Sequence, residues 1–504
     1  MISDSNSRGS FNQIHKFARL FLLGCLLAAV SGCASARGGA GKADGAGTLR
    51  AGAAAEPSAD PRRLVFPPLD FQLPKSERVQ LKSGMVVYLL QDRELPIVNL
   101  TAYLNAGSIY DPPDKVGLAT IAGATLRSGG TVQTKPDQLD RELEFMASSI
   151  ESDINADHAN VSLSTLTRNL DRTLALFAEV VTKPGFDPAR VELAKSQAVE
   201  AIRRQNDDPK SIASRELNSA IYAGHPLGRI PTLASVQAIS REDLVSFHER
   251  YFYPANTILA VSGDFDREKL LARLEALFAG WPNHAASFPQ VADPSEQMSA
   301  QVLHVQKEVN QSVIRMGHLG IHKNNPDLYA IKVMDYILGG GFTSRLTQEI
   351  RSNQGLAYNV DSYFVTGRRF KGPFIAETET KSETTGRAIT LLRSIIAGMA
   401  QAEVSEAELK LAKDAIINSF IFGFARSDVV VNQQARLEFY QYPAGYLENF
   451  RANIARVTRE DVLRVARKYL HLDAMKLVVV GDQKKFDQPL STYGSVQEIK
   501  LEIK

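Results

Sequence analysis

Two 25-residue stretches of this chain are copies of one another. Ser240–Asp264 reads SREDLVSFHERYFYPANTILAVSGD and Thr458–Asp482 reads TREDVLRVARKYLHLDAMKLVVVGD, ungapped and at a constant offset of 218 residues. Arg241/Arg459, Glu242/Glu460, Asp243/Asp461, Tyr251/Tyr469, Val261/Val479, Gly263/Gly481 and Asp264/Asp482 recur in place. Each copy opens with a Ser or Thr N-cap and an acidic first turn. It then runs as an amphipathic helix, passes an aromatic segment and closes as a β-branched strand ending in Gly-Asp. Such a duplication requires two homologous halves.

The halves span 64–285 and 300–490, joined by a linker, 286–299, that carries Pro289 and Pro294 and few periodic apolar residues. Each half opens with strands, as at Met85–Gln91 and Ile97–Asn105, where apolar residues alternate. Helices follow, at Pro136–Ser148, Leu170–Val181 and Asp187–Gln205. Strands first and helices afterwards predict an α+β fold, a mixed or antiparallel sheet with helices packed on one face. Lys and Arg number 58 against 56 Asp and Glu, so no strong basic or acidic balance points to nucleic acid. Cys25 and Cys33 are the only cysteines, which removes a disulfide framework, a thiolate metal site and a cysteine nucleophile from both halves.

Residues 1–33 read as a secretory signal: Lys16 and Arg19 precede an apolar run, Leu20–Val30. That run is too short for a bilayer, which takes about 20 residues. Val30-Ser-Gly-Cys33 resembles a bacterial lipobox, implying cleavage before Cys33 and a lipid on its sulfur; a plainly cleaved signal with an incidental cysteine stays open. Ala34, where aspartate would signal inner-membrane retention, favours the outer membrane. Residues 34–63, rich in Gly and Ala, read as a flexible tether. The expectation is a lipoprotein of the bacterial cell envelope, anchored to the outer membrane and facing the periplasm.

Further motifs extend over nearly the whole body. Leu104-Asn-Ala-Gly-Ser108, Gly117-Leu-Ala119, His225-Pro-Leu-Gly228 and Tyr253-Pro-Ala-Asn256 resemble the first half of the M16 (pitrilysin, or insulinase-like) zinc peptidases. Leu338-Gly-Gly-Gly-Phe-Thr-Ser-Arg-Leu346, Arg351 and Gly355-Leu-Ala-Tyr358 resemble the second. The resemblance implies two M16-type domains forming half of a clamshell chamber. It also implies a helix bearing His-x-x-Glu-His, whose histidines bind zinc and whose glutamate activates water. Here that run is Thr120-Ile-Ala-Gly-Ala124, so Thr120, Gly123 and Ala124 stand where both ligands and the base would be. Glu200 falls at the third-ligand spacing, and reads equally as a solvated helix charge. One carboxylate cannot hold a catalytic zinc, which takes three protein ligands. His318 and His322, four apart on a predicted strand, Ser312–His322, lie about 13 Å apart and cannot share a metal. No zinc is expected on this chain.

The resemblance also implies an arginine and a tyrosine in the second half that face the substrate carbonyl, and Arg351 and Tyr358 match them. Locally, Thr343–Ser352 reads as a helix stopped at Gly355 and Leu356–Phe364 as a strand. A guanidinium is always charged and offers several donors, while a phenol donates one hydrogen bond without ionising at neutral pH. The plainer alternative is a helix C-terminal cation and a strand aromatic. Heterodimeric family members divide zinc and the Arg/Tyr pair between chains. The expected function is therefore the non-zinc subunit of an M16 metalloendopeptidase, with zinc held by a His-x-x-Glu-His partner and peptides or unfolded polypeptides as substrate. An inert peptide-binding or scaffold protein is the alternative, and a zinc peptidase acting alone is disfavoured.

Overall fold

The computed structural model describes residues 71–502 except 285, 286 and 298. The signal 1–33 with Cys33, and the tether 34–63, lie outside the described residues. From Gln72 onward the chain forms one compact unit.

The first half builds a six-stranded sheet from β1 (Glu77–Gln80), β2 (Val86–Gln91), β3 (Ile97–Leu104), β4 (Ser149–Ile154), β5 (Ala159–Leu166) and β6 (Thr257–Gly263), in the order β1-β2-β6-β3-β5-β4. Its helices are α1 (Leu118–Ser128), α2 (Pro136–Phe145), α3 (Leu170–Thr182), α4 (Pro188–Arg204), α5 (Pro209–Ile221), α6 (Leu233–Gln237), α7 (Arg241–Tyr251) and α8 (Arg267–Phe278). The second half repeats the plan with β7 (Gln301–Gln306), β8 (Gln311–Leu319), β9 (Val360–Phe364), β10 (Pro373–Lys381), β11 (Lys476–Gly481) and β12 (Val496–Glu498), in the order β12-β7-β11-β8-β10-β9. Its helices are α9 (Leu328–Asp335), α10 (Thr385–Met399), α11 (Glu406–Phe420), α12 (Ser427–Phe439), α13 (Phe450–Arg456) and α14 (Arg459–Tyr469). Both sheets mix parallel pairs, β2 with β6 and β7 with β11, among antiparallel ones. The fold is α+β, as expected.

The repeat supplies the centre of each sheet. Ser240 accepts from the Asp243 amide and Thr458 from the Asp461 amide, and each aspartate side chain returns the bond. These two capping boxes satisfy backbone donors that would otherwise be orphaned. They start α7 and α14, which feed β6 and β11. Every residue of β6 is buried, because both faces of its sheet are covered.

What covers the second face is an exchange between halves. Helices α5 and α12 are related by the same 218-residue offset. Each packs on the other half's sheet. Ile212, Ala213 and Leu217 of α5 form one apolar cluster with Leu303, Val305, Val313, Val478 and Val480 of the second sheet. Val431 and Ala435 of α12 join Tyr103, Ile258 and Ala260 of the first. Polar contacts fasten α12 further: the Tyr103 hydroxyl donates to Asn432 Oδ1 at 2.9 Å, and Arg78 meets both Glu438 oxygens at 2.7 and 2.8 Å. The linker is fastened too. Phe288 stacks on Tyr251 at 5.6 Å, and His225 Nε2 donates to the Ala292 carbonyl at 2.9 Å.

Some boundaries differ from the sequence reading. The helix expected to reach Ser148 ends at Phe145, and Ala147 then turns at φ 47° to start β4. The strand expected to reach His322 ends at Leu319, and His322 makes a separate bridge to Gly367.

Leu217 is 1% exposed and belongs to the first half in sequence but to the second sheet in space. Leu217→Ala is expected to destabilise the protein by about 3 kcal/mol in urea unfolding. Hydrogen exchange should quicken in β8 and β11; a loss of protection confined to the first sheet would contradict the exchange.

Candidate functional site

The first half places Thr120 and Ala124 on the exposed face of α1 and Gly123 on its buried face. Gly123 lies so close to edge strand β4 that a Cβ there would overlap the Ile154 amide nitrogen and fall 2.9 Å from the Asp153 carbonyl carbon. The Ser152 hydroxyl donates to the Gly123 carbonyl at 2.7 Å, closing the same seam. The N-terminal end of α1 is set by Asp111, whose carboxylate accepts from the Gly117 and Ala119 amides at 2.9 and 3.0 Å. Burial pushes this carboxyl up to about 6 against those two bonds. Helix α1 is thus pressed onto β4 where a glutamate would need room.

Glu200 stands on an exposed part of α4, 3.6 Å from Arg203 one turn on. Among the described residues no group of three His, Cys, Asp or Glu could hold a metal. The residues at Thr120, Gly123 and Ala124 supply no donor set that fits zinc. His318 is buried, donating from Nδ1 to the Leu319 carbonyl at 2.9 Å, and burial holds it down to about 4. His322 donates to the Arg368 carbonyl at 3.1 Å, so the two histidines are turned to separate tasks.

The second half brings Arg351 and Tyr358 together. After α9 the chain takes a π-helical turn, Tyr336–Gly340, and Gly339 lets its backbone touch β9, since a Cβ there would overlap the Ser362 amide. The following run is pinned by Arg345, whose Nε and second amino nitrogen reach Glu408 at 2.7 and 3.1 Å. That guanidinium, with the Ser405 cap, holds the Glu408 carboxyl down at about 2. Arg351 then sits in a second π-helical segment, Thr347–Asn353, rather than the α-helix expected over Thr343–Ser352. Gly355 ends it at φ 61°, as the sequence implied. The expected strand from Leu356 begins only at Val360, leaving Tyr358 in the approach loop. Thr380 and Thr378 hydroxyls hold that loop by the Leu356 and Asn359 carbonyls, at 2.8 and 2.9 Å.

The backbone on either side of Tyr358 is therefore fixed while its ring is 86% exposed. The Arg351 guanidinium carbon lies over this ring, 5.0 Å from its centroid. It also lies over Phe342, 5.8 Å away, whose ring is 83% exposed. Each such contact at an exposed site contributes about 0.5–1 kcal/mol. Among the described residues no carboxylate pairs with the Arg351 side chain, so its N–H donors are free for an oxygen ligand. Phe342 was not singled out by the sequence reading, although an aromatic directly after three glycines was the signal available.

Two family models match the chain: "Insulinase (Peptidase family M16)" over residues 86–233 and "Peptidase M16 inactive domain" over 238–416. The chain belongs to the M16 peptidase family. The non-peptidase homolog YmxG of Helicobacter pylori is 24% identical over 389 residues, 76% of this chain and 88% of its own length. An uncharacterized zinc protease of Mycobacterium leprae is 24% identical across 70% of this chain and 81% of its own. Among solved structures, a peptidase M16 inactive domain from Pseudomonas fluorescens is 28% identical with a TM-score of 0.73, over 81% of this chain and 98% of that one. A Helicobacter pylori protease shares the fold at a TM-score of 0.74 and 21% identity, over 81% and 100%. The names of these relatives and structures include both a non-peptidase homolog and an uncharacterized zinc protease.

Restoring Thr120→His, Gly123→Glu and Ala124→His together is expected to yield no stoichiometric zinc after gel filtration. Gly123→Ala alone should cost about 1–3 kcal/mol in thermal unfolding, because α1 must move off β4. Zinc bound one-to-one by a stable triple variant would refute the packing argument.

Proposed function

We propose that this chain is the non-zinc subunit of a two-chain M16 metalloendopeptidase. The observation that carries the reading is the exposed Arg351–Tyr358 pair, with the guanidinium carbon 5.0 Å from the ring centroid and, among the described residues, no acidic partner for it. The partner, bearing His-x-x-Glu-His, supplies the zinc and its water. This chain supplies hydrogen bonds: Arg351 and Tyr358 donate to the carbonyl oxygen of a peptide or unfolded segment as negative charge develops on it. Donors fixed in advance contribute on the order of 3 kcal/mol each in such sites. The free donors and exposed phenol are what that task requires, whereas a helix cation alone would not need the ring beside it. The lipid on Cys33 and the tether 34–63 would hold the subunit at the outer membrane, facing the periplasm.

An inert peptide-binding or scaffold role is the second reading, favoured by the likeness to a non-peptidase homolog. Capture of the tagged full-length chain from the native envelope separates the two. A stoichiometric second chain with His-x-x-Glu-His, and chelator-sensitive cleavage of a quenched peptide library that the tagged chain lacks alone, supports the subunit. A lone chain without turnover supports the scaffold.

In the captured complex, Arg351→Ala is expected to lower turnover by about 10²-fold with assembly unchanged on gel filtration. Unaltered turnover would remove Arg351 from the reaction.

A further inference from the structure

The clamp reading leaves one exposed group unexplained. Phe342 is 83% exposed, yet it is no loose tip: Arg345, three residues on, is locked to Glu408, and the Ser344 hydroxyl donates to Thr347 Oγ1 at 2.9 Å. Single exposed apolar residues need no explanation. Here, however, two exposed aromatic residues, Phe342 and Tyr358, meet the same guanidinium, and among the described residues no carboxylate does.

We propose that Phe342 is a third residue of this site, positioning the Arg351 guanidinium and selecting peptides with a bulky apolar residue beside the bound carbonyl. The inference rests on the clamp reading. A ring attracts a cation over its face without supplying the lone-pair acceptors that a carboxylate would. Contact with Phe342 and Tyr358 therefore restricts how Arg351 can turn, and leaves its donors for a ligand oxygen. The same rings offer apolar surface within one side chain's reach of that oxygen. A peptide carbonyl is followed and preceded by side chains at this distance, and an aromatic or branched one would cover the exposed rings. A charged or small one would leave them in water.

The test uses the full-length chain and three capped pentapeptides, Ala-Ala-X-Ala-Ala with X as Phe, Leu or Ala, read by NMR titration. The Phe and Leu peptides are expected to bind about tenfold tighter than the Ala peptide. Phe342→Ala should bring all three to about the same affinity, while Phe342→Tyr keeps the preference. Arg351→Ala should weaken all three equally and preserve their ratio. A preference that survives Phe342→Ala overturns this inference and leaves the clamp standing. Arg351→Ala without effect on any peptide overturns the clamp instead. Failure of the unsubstituted chain to bind any of the three overturns both. Melting curves check that Phe342→Ala is folded; should it not be, a preference lost in Phe342→Ser and kept in Phe342→Tyr supports the proposal, and one kept in both overturns it.

Discussion

The exchange of α5 and α12 between the two sheets is the contact on which the rest depends. A sheet with helices on one face leaves the other face apolar and in water. In this chain Ile258, Ala260 and Tyr103 would be that face in the first half, and Val313, Val478 and Val480 in the second. Each is covered by a helix whose sequence belongs to the other half. Neither sheet can be completed without the other half, so the duplication yields one compact unit rather than two beads. Polar contacts reinforce the seam where the halves meet: the Tyr440 hydroxyl meets His158 Nδ1 at 3.0 Å, and Arg369 Nε donates to the Asp157 carbonyl at 3.1 Å. Burial raises the Asp157 carboxyl, but His158, Arg368 and Arg369 outweigh it, so this carboxyl lies below the usual range.

Glycine governs how far each half can carry chemistry. Gly123 and Gly339 both bring a helical backbone into contact with the edge strand of their own sheet, β4 and β9. A side chain with catalytic reach cannot occupy either position, because its Cβ would overlap a strand amide. A glutamate at position 123 would find no room. The space it would need is filled by β4, and the seam is closed by Ser152. The first half thus holds a closely packed helix at this place.

Much of this was legible in the sequence, and what was not has a physical cause. The capping boxes at Ser240 and Thr458, the strands they lead to and the stop at Gly355 depend on local residue chemistry, and local chemistry is what a sequence displays. The exchange was not legible, because the spacing of Ile212, Ala213 and Leu217 marks an apolar helix face without saying which sheet it meets. The π-helical segment around Arg351 looks like an α-helix in sequence, since its wider turn leaves the apolar spacing of Leu346 and Ile350 intact. The close approach of Gly123 was invisible for a similar reason: a glycine in a helix signals small size, not what lies opposite. The likeness to M16 motifs named Arg351 and Tyr358, but only coordinates could show their rings and charges in contact.

Arg345 and Arg351 make that last point concrete. They lie within one run, and composition cannot tell them apart. Arg345 uses its fork on Glu408, which also caps α11, so its charge is matched and its donors are engaged in holding the fold. Among the described residues Arg351 has no such match. It rests on two aromatic rings that are themselves left in water, an arrangement that buries little apolar surface and so contributes little to stability. A residue kept for folding would be expected to resemble Arg345. A guanidinium beside exposed rings, on backbone pinned by Thr378 and Thr380 and unmatched among the described residues, is what the proposed ligand role asks for: a ligand from outside would supply both the oxygen and the apolar cover.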